Sequence, residues 1–181
     1  QKLYDYRAQR FPLHKDDKIL VGWNGLAIAA FALAARLLGR GDYLRAAERA
    51  AAFIEHNLAR KEGSLFLRWR ENHAAHEAQL DDYAAYAYAN LCLYQACFDQ
   101  RYLLRARNLA LLMQELFPDA AGGYFSSPAH GEELLFRPKE SYDGALPSGN
   151  SLLGLVLARL ARLDDRRFQD IVDQAKLLIP H

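Results

Sequence analysis

Several features are scarce in this chain of 181 residues, and each scarcity excludes a class of protein. The two cysteines, Cys92 and Cys97, lie five residues apart in a predicted helix and so on different faces, which favours buried free thiols over a disulfide or a zinc pair. No apolar run reaches the roughly 18 residues that a membrane span needs. The 23 basic and 22 acidic residues nearly cancel, so neither nucleic acid nor a membrane surface is an expected partner.

Recognisable cofactor and metal motifs are also missing. The chain has no P-loop, no glycine-rich dinucleotide turn and no Cys-x-x-Cys pair, and its six histidines do not form a ligand set. We therefore expect no cofactor and no metal. Low cysteine use suits a reducing compartment, so the expected location is the cytoplasm.

A repeated unit is what the sequence does contain. Residues 24–58, 83–117 and 149–178 each combine a nearly uncharged helix, a short turn with Asp or Gly, and a charged amphipathic helix. The uncharged helices are predicted at 26–38, 83–98 and 150–160, and their partners at 43–58, 101–116 and 166–178. Helices that are apolar on all sides are expected in an inner layer, with the amphipathic helices outside them.

The connections and the N-terminal segment complete the predicted architecture. Asp42 and Asp99 are expected to cap outer helices. Residues 62–70 and 122–136 are typical of short β-hairpins or extended flaps, and residues 1–12 are expected to form one more outer helix. The plan is an all-α fold, an α/α toroid of the six-hairpin type with about half present, in which 1–181 is a single domain of a larger ring. The alternative is a solenoid of three helical hairpins.

In such an array the inner helices all point the same way, so their N-termini should share one rim. Aromatic rings there can stack on sugars, amides can bind hydroxyls, and paired carboxyl groups can divide acid and base roles, so we expect a carbohydrate cleft. The leading catalytic candidates are Asp82 and Asp143, followed by Asp81 and Glu140. The candidate binding residues are Trp23, Asn24, Asp17, Tyr83, Lys139, Tyr142, Ser148 and Asn150.

Each of these residues also has a purely structural explanation. Asp81 or Asp82 can cap a helix, and Ser148 is better explained as a cap than as a nucleophile because no histidine lies near it in sequence. Trp23 can belong to the core, and Asp17 can sit in a solvated turn. The density of functional groups in 139–144, just before an inner helix, exceeds what a connector needs.

Three segments together resemble a known family. They contain Trp23-Asn24-Gly25-Leu26, then Leu80-Asp81-Asp82-Tyr83-Ala84, then Lys139-Glu140, Tyr142-Asp143-Gly144 and Pro147-Ser148-Gly149-Asn150-Ser151. The chain is similar, collinearly, to the helical C-terminal region of the YyaL and spermatogenesis-associated thioredoxin-domain proteins. The resemblance implies a six-hairpin toroid like those of glycosidases and N-acylglucosamine 2-epimerases, following a thioredoxin-like domain that this chain lacks.

Three functions remain open from the sequence. The first is a carbohydrate-active, glycosidase-like domain that acts on a small-molecule carbohydrate; epimerase chemistry is disfavoured because no predicted inner helix holds a histidine. The second is a non-catalytic sugar-binding or scaffold module. The third, an accessory role in a redox system, follows only from the family's usual thioredoxin-like domain. A half toroid would expose apolar flanks, so we expect either a homodimer or the remainder of the ring to cover them.

Overall fold

The computed structural model describes residues 1–11, 15–130 and 135–163. Within them the chain forms six helices and one three-stranded sheet. The elements are α1 (Lys2–Ala8), β1 (Ile19–Leu20), α2 (Val21–Leu38), α3 (Gly41–Asn57), β2 (Phe66–Arg70), β3 (His73–Glu77), α4 (Leu80–Cys97), α5 (Gln100–Leu116) and α6 (Gly149–Ala161). The outer helix predicted at 166–178 lies outside the described residues.

The helices form the two predicted layers. The inner helices α2 and α6 pack on opposite sides of α4, while α3 and α5 lie against them as outer helices. α4 carries no charge after Asp82 and is buried along most of its length, which places it at the centre of the core. The largest fully buried side chains come from both layers and include Ile28, Ile54, Tyr86, Met113 and Leu153.

Two predicted helix starts need correction. α2 begins at Val21 rather than Leu26, because Val21 is fully buried and continues the apolar face of the helix; Trp23 and Asn24 therefore lie in the first turn of α2. Asp42 does not cap α3. The N-cap is Arg40, and Asp42 lies in the first turn, where it accepts two hydrogen bonds from the Arg40 guanidinium at 2.8 and 2.7 Å.

Other local predictions are confirmed. Asp99 caps α5 by accepting a hydrogen bond from the backbone N–H of Arg101. β2 lies within the predicted 62–70 and forms an antiparallel hairpin with β3, which lies beyond that range, and β1 adds a third strand that is too short to detect by alternation. For the second connection, 131–134 lie outside the described residues, and the described part of 122–136 forms no hairpin: its one bridge is an isolated pair between Pro118 and Tyr124.

The flanks of the inner layer expose apolar side chains, as expected for half a ring. α2 exposes Trp23, Phe31 and Leu37, and α6 exposes Leu155. Among the described helices, α2 alone is long and apolar enough to cross a membrane by length and composition, a property that core helices share. The predicted N-terminal helix exists as α1, but it buries no residue and so does not join the outer layer of the described structure.

Candidate functional site

The N-termini of the three inner helices lie together. The backbone N–H of Gly22, in the first turn of α2, donates to Asp82 Oδ1 in the first turn of α4 at 2.9 Å. The start of α6 is equally close, because a Cβ added to Gly149 would lie 2.9 Å from the Asp81 backbone nitrogen. Glycine is therefore required at the α6 start, and the shared rim that the repeat predicted is present in the fold.

A cleft of about 150 Å³ opens at this rim. Residues of all three inner helices and of the loop before α6 line it, including Trp23, Leu26, Gln79, Asp81, Asp82 and Pro147. The Trp23 side chain is 65% exposed, and Asp81 is also exposed. An apolar ring and a carboxyl group thus face solvent at the same opening.

Asp82 forms the buried side of the cleft. Its side chain is 4% exposed, and its second oxygen, Oδ2, accepts from the backbone N–H of Gln79 at 2.9 Å. Burial raises the pKa of Asp82 to about 7, and the negative charge of Asp81 adds to this effect, while the hydrogen bonds from Gln79 and Gly22 oppose it. Asp82 therefore clamps α2 to α4 and also takes up a proton near neutral pH.

Asp143 holds the start of α6. Its Oδ1 accepts from the Ser148 backbone N–H at 2.8 Å and its Oδ2 accepts from the Ser151 hydroxyl at 3.0 Å, and these hydrogen bonds lower the pKa of Asp143. Ser148 is the N-cap of α6, because its hydroxyl accepts from the Ser151 backbone N–H at 3.2 Å. Both side chains tie the preceding loop to the helix.

Asn150 and Lys139 hold the long connection in place. The Asn150 side chain accepts from the backbone N–H of Tyr124 at 2.9 Å and donates to the backbone carbonyls of Tyr124 and Glu140 at 2.9 and 2.8 Å. Lys139 Nζ pairs with Asp119 at 2.6 Å. Their polar atoms are thus engaged within the loop rather than directed into the cleft.

The remaining predicted residues are dispersed. Tyr83 is 2% exposed, and its hydroxyl accepts from the Leu65 backbone N–H at 2.8 Å, so it belongs to the core. The Asn24 side chain donates to the Leu20 carbonyl at 2.8 Å.

Three further side chains lie at the surface. Asp17 pairs with Arg70 at 2.8 Å. Glu140 accepts from the backbone N–H of Tyr142, whose ring is 78% exposed. None of these residues lines the cleft at the rim.

The chain has sequence homologues among known proteins. It is 32% identical to spermatogenesis-associated protein 20 of Rattus norvegicus over 99% of this chain, and 31% identical to the Homo sapiens protein over 88%. The chain is a homologue of spermatogenesis-associated protein 20. It spans about a quarter of the length of these relatives, covering 24% of the rat protein and 22% of the human one. No family model matches the chain.

Solved structures establish the fold of this homologue. Cellobiose 2-epimerase from Bacillus thermoamylovorans superimposes with a TM-score of 0.72 at 19% identity, over 91% of this chain and 45% of the epimerase. A family 105 glycoside hydrolase from C. acetobutylicum gives 0.70 at 15% identity, over 96% and 55%. A family 76 mannosidase from Bacteroides thetaiotaomicron gives 0.67 at 15% identity, over 86% and 42%. The fold is about half of an α/α toroid, not a solenoid.

Gln79 is a cleft residue that the sequence interpretation missed. It is the N-cap of α4, and its side chain accepts from the Asp82 backbone N–H. In return, the Asp82 side chain accepts from the Gln79 backbone N–H. This reciprocal capping box has a sequence signal, because Gln79 and Asp82 are three residues apart immediately before an apolar helix.

A larger groove of about 830 Å³ lies between the outer helices α3 and α5, away from the rim.

Proposed function

We propose that the rim cleft binds carbohydrate and that the domain is glycosidase-like, with Asp82 as general acid and Asp81 as its partner carboxylate. The observation that carries the proposal is one cleft containing an exposed indole, an exposed carboxyl group and a buried carboxyl group of raised pKa. The toroid neighbours support it, since an epimerase of cellobiose and two families of glycoside hydrolase share the fold.

The acid and base roles follow from the two environments. Glycoside hydrolysis needs one carboxylic acid to protonate the leaving oxygen and one carboxylate to act as base or nucleophile. Asp82 is suited to the first role because its pKa of about 7 leaves about half of the molecules protonated at pH 7, whereas an ordinary aspartate is almost fully ionised there. Asp81 reaches solvent beside it and is suited to orient water or to stabilise positive charge on the sugar.

Asp143, the other leading candidate from the sequence, is better suited to a positioning role. Both of its oxygens accept hydrogen bonds that fix the loop before α6, and its lowered pKa disfavours proton donation. Glu140 is likewise engaged, with the backbone N–H of Tyr142. Hydrolysis is favoured over epimerisation because no histidine of the described chain lines the rim cleft.

A second candidate function is a non-catalytic sugar-binding or scaffold module attached to a thioredoxin-like domain. The observation that favours it is the engagement of Asp82, Asp143 and Asn150 in backbone hydrogen bonds that hold helix starts and loops. In this case Trp23 and Asp81 would provide the sugar contacts, and no bond would be cleaved.

Glycan binding and turnover measured together separate the two functions. The wild-type protein is tested against a panel of oligosaccharides and aryl glycosides, beside Asp82→Asn, Asp81→Asn and the control Asp42→Asn on the outer helix α3. A hydrolase should lose at least about 100-fold in kcat in both cleft variants and keep its activity in the control. Its wild-type rate should also fall as pH rises through about 7, where Asp82 loses its proton.

Other outcomes have equally definite meanings. Binding without product in the wild type, unchanged by Asp82→Asn, would favour the module. Failure of every carbohydrate to bind would contradict the hydrolase and the sugar-binding module and would favour a scaffold role.

A further inference from the structure

Each inner helix carries further side chains below the rim, on the face that contributes to the cleft. Residues seven apart lie on nearly the same helix face, about 10 Å apart along the axis. Tyr88 therefore lies below Asp81 on α4, and Arg159 lies below the cleft residue Leu152 on α6. Arg36 lies fourteen residues after Gly22 on α2 and Gln95 fourteen after Asp81. Together with Cys92 they form the lower cluster: Arg36, Tyr88, Cys92, Gln95 and Arg159.

Contacts across helices hold the lower cluster together. The Arg159 guanidinium lies over the Tyr88 ring, 4.9 Å from its centroid, and its Nη1 is 4.0 Å from Cys92 Sγ. Arg36 Nη1 donates to Gln95 Oε1 at 3.2 Å. Burial raises the pKa of the Cys92 thiol, while the positive charges of Arg159 and Arg36 both lower it. Two arginines, Arg36 from α2 and Arg159 from α6, thus each contact α4, and the charge of each acts on Cys92.

Neither arginine is neutralised by a carboxylate of the described chain. Other arginines in the fold are neutralised by carboxylates: Arg40 pairs with Asp42, Arg70 with Asp17 and Arg101 with Asp99. Both Arg36 and Arg159 lie in the last turn of their helices, where positive charge complements the helix dipole. The dipole explains a cation at each helix end, but it does not require that both face the same side as the cleft.

We propose that the lower cluster binds the anionic group, a carboxylate or a phosphate, of a carbohydrate whose neutral part occupies the rim cleft. The guanidinium groups supply planar, bidentate donors for such an anion, and Tyr88 keeps Arg159 oriented. The carboxylate of Asp81 at the rim repels a negative charge, so the anionic end is directed away from it. The location of the neutral part rests on the proposed function.

The substrate class follows from the spacing. The two ends of the binding surface are about 10 to 20 Å apart, since the cluster lies two to four helical turns below the rim. A single sugar ring does not bridge that distance, whereas a disaccharide or a longer oligosaccharide with one acidic end does. The ligand class is therefore an oligosaccharide that carries a uronic acid or a phosphate at one end.

Calorimetric titration of the 181-residue chain tests this inference with matched ligands. The probes are cellobiouronic acid, which carries one carboxylate on one of its two rings, its methyl ester, maltose 1-phosphate and inorganic phosphate. We expect an anionic disaccharide to bind at least about tenfold more tightly than the neutral ester, a difference of about 1.4 kcal/mol. Preference for cellobiouronic acid identifies a carboxylate ligand, and preference for maltose 1-phosphate, with competition by inorganic phosphate, identifies a phosphate ligand.

Variants locate the effect. Arg159→Gln and Arg36→Gln should each abolish most of the preference for the anion, and Arg159→Lys should retain part of it. Arg45→Gln, which removes an exposed charge from the outer helix α3, is the matched control and should leave the preference intact. Far-UV circular dichroism and the unfolding temperature of each variant show whether it folds.

Three results would overturn the inference: equal affinity for cellobiouronic acid and its ester, equal losses in Arg45→Gln and Arg159→Gln, or no binding of any probe. The proposed hydrolase can fail separately. Binding with the expected charge preference but without turnover contradicts only the catalytic role of Asp82. Turnover of neutral glycosides without any charge preference contradicts only the anion site.

Discussion

Replacing Asp82 with asparagine should remove a large pH dependence from the stability of this fold. Burial raises the pKa of Asp82 in the folded state to about 7, against an ordinary value of 3.8 for an exposed aspartate. At a pH between these two pKa values, Asp82 keeps its proton in the folded state and has released it in the unfolded state. The contribution of this group to stability is therefore complete below pH 3.8 and is lost as pH rises towards 7.

The magnitude follows from the two pKa values. They differ by about 3, which corresponds to about 4 kcal/mol at 1.36 kcal/mol for each pH unit. From about pH 4.5 to about pH 7, the free energy of unfolding should fall by about 3 kcal/mol through this group alone. Asparagine does not titrate, so Asp82→Asn should lack this fall. It should also be less stable at low pH, because its amide cannot accept from both Gly22 and Gln79.

Urea unfolding at half-unit pH steps, followed by far-UV circular dichroism, measures the effect. The slope for the wild type minus the slope for Asp82→Asn isolates the contribution of Asp82. Asp143→Asn is a control, because the pKa shift of Asp143 has the opposite sign. Hydrogen bonds lower the pKa of Asp143 in the folded state, so its contribution to stability is present above pH 3.8 and is lost at lower pH. Its removal should leave the slope between pH 4.5 and 7 unchanged.

A direct titration gives the decisive contrary result. If the Asp82 carboxyl carbon, followed by NMR, titrates below about pH 4 in the folded protein, the two backbone hydrogen bonds outweigh burial. Parallel pH slopes for the wild type and Asp82→Asn would lead to the same conclusion. Either result would also remove the physical basis for Asp82 as a general acid.

Three further predictions concern packing, capping and thiol reactivity. Gly25→Ala should destabilise the fold by about 1 to 3 kcal/mol, because its Cβ would lie 2.8 Å from the Ala85 carbonyl carbon. Gly154→Ala should instead stabilise the fold by up to about 1 kcal/mol, because a Cβ there enters open space on α6. Urea unfolding measures both changes. Asp99→Ala should cost about 1 kcal/mol through loss of the α5 cap, and an unchanged urea midpoint would contradict this role. Cys92 should react with a thiol reagent only on unfolding, whereas rapid labelling of the native protein would show that it is accessible.

The layered architecture was predictable because it depends on composition along each helix. A helix without charge, such as α4, is stable only when it is covered on all sides, and an amphipathic helix such as α5 is stable at the surface. The caps at Asp99 and Ser148 were equally local, since a short polar side chain one turn before an apolar run satisfies free N–H groups. The start of α2 and the two-residue strand β1 were not predictable, because burial of Val21 and pairing with β2 depend on distant residues.

The candidate site divides along the same line. The repeat alone implied that Asp82 and the start of α6 share a rim, since equivalent ends of parallel helices meet. The sequence could not show that Tyr83 turns into the core while its neighbour Asp82 faces Gly22, because adjacent helical residues point about 100° apart and only the packing selects the direction.

The amino-acid sequence by itself determined the two helix layers and the polar ends of the inner helices, because both are written in the spacing of apolar and short polar residues. Tertiary structure alone decided the chemistry of those ends. It buried Asp82 and raised its pKa, left Asp81 and Trp23 open to solvent, and placed Arg36 and Arg159 on one face below them. The physical reason is that desolvation and charge proximity depend on distances between residues far apart in the chain.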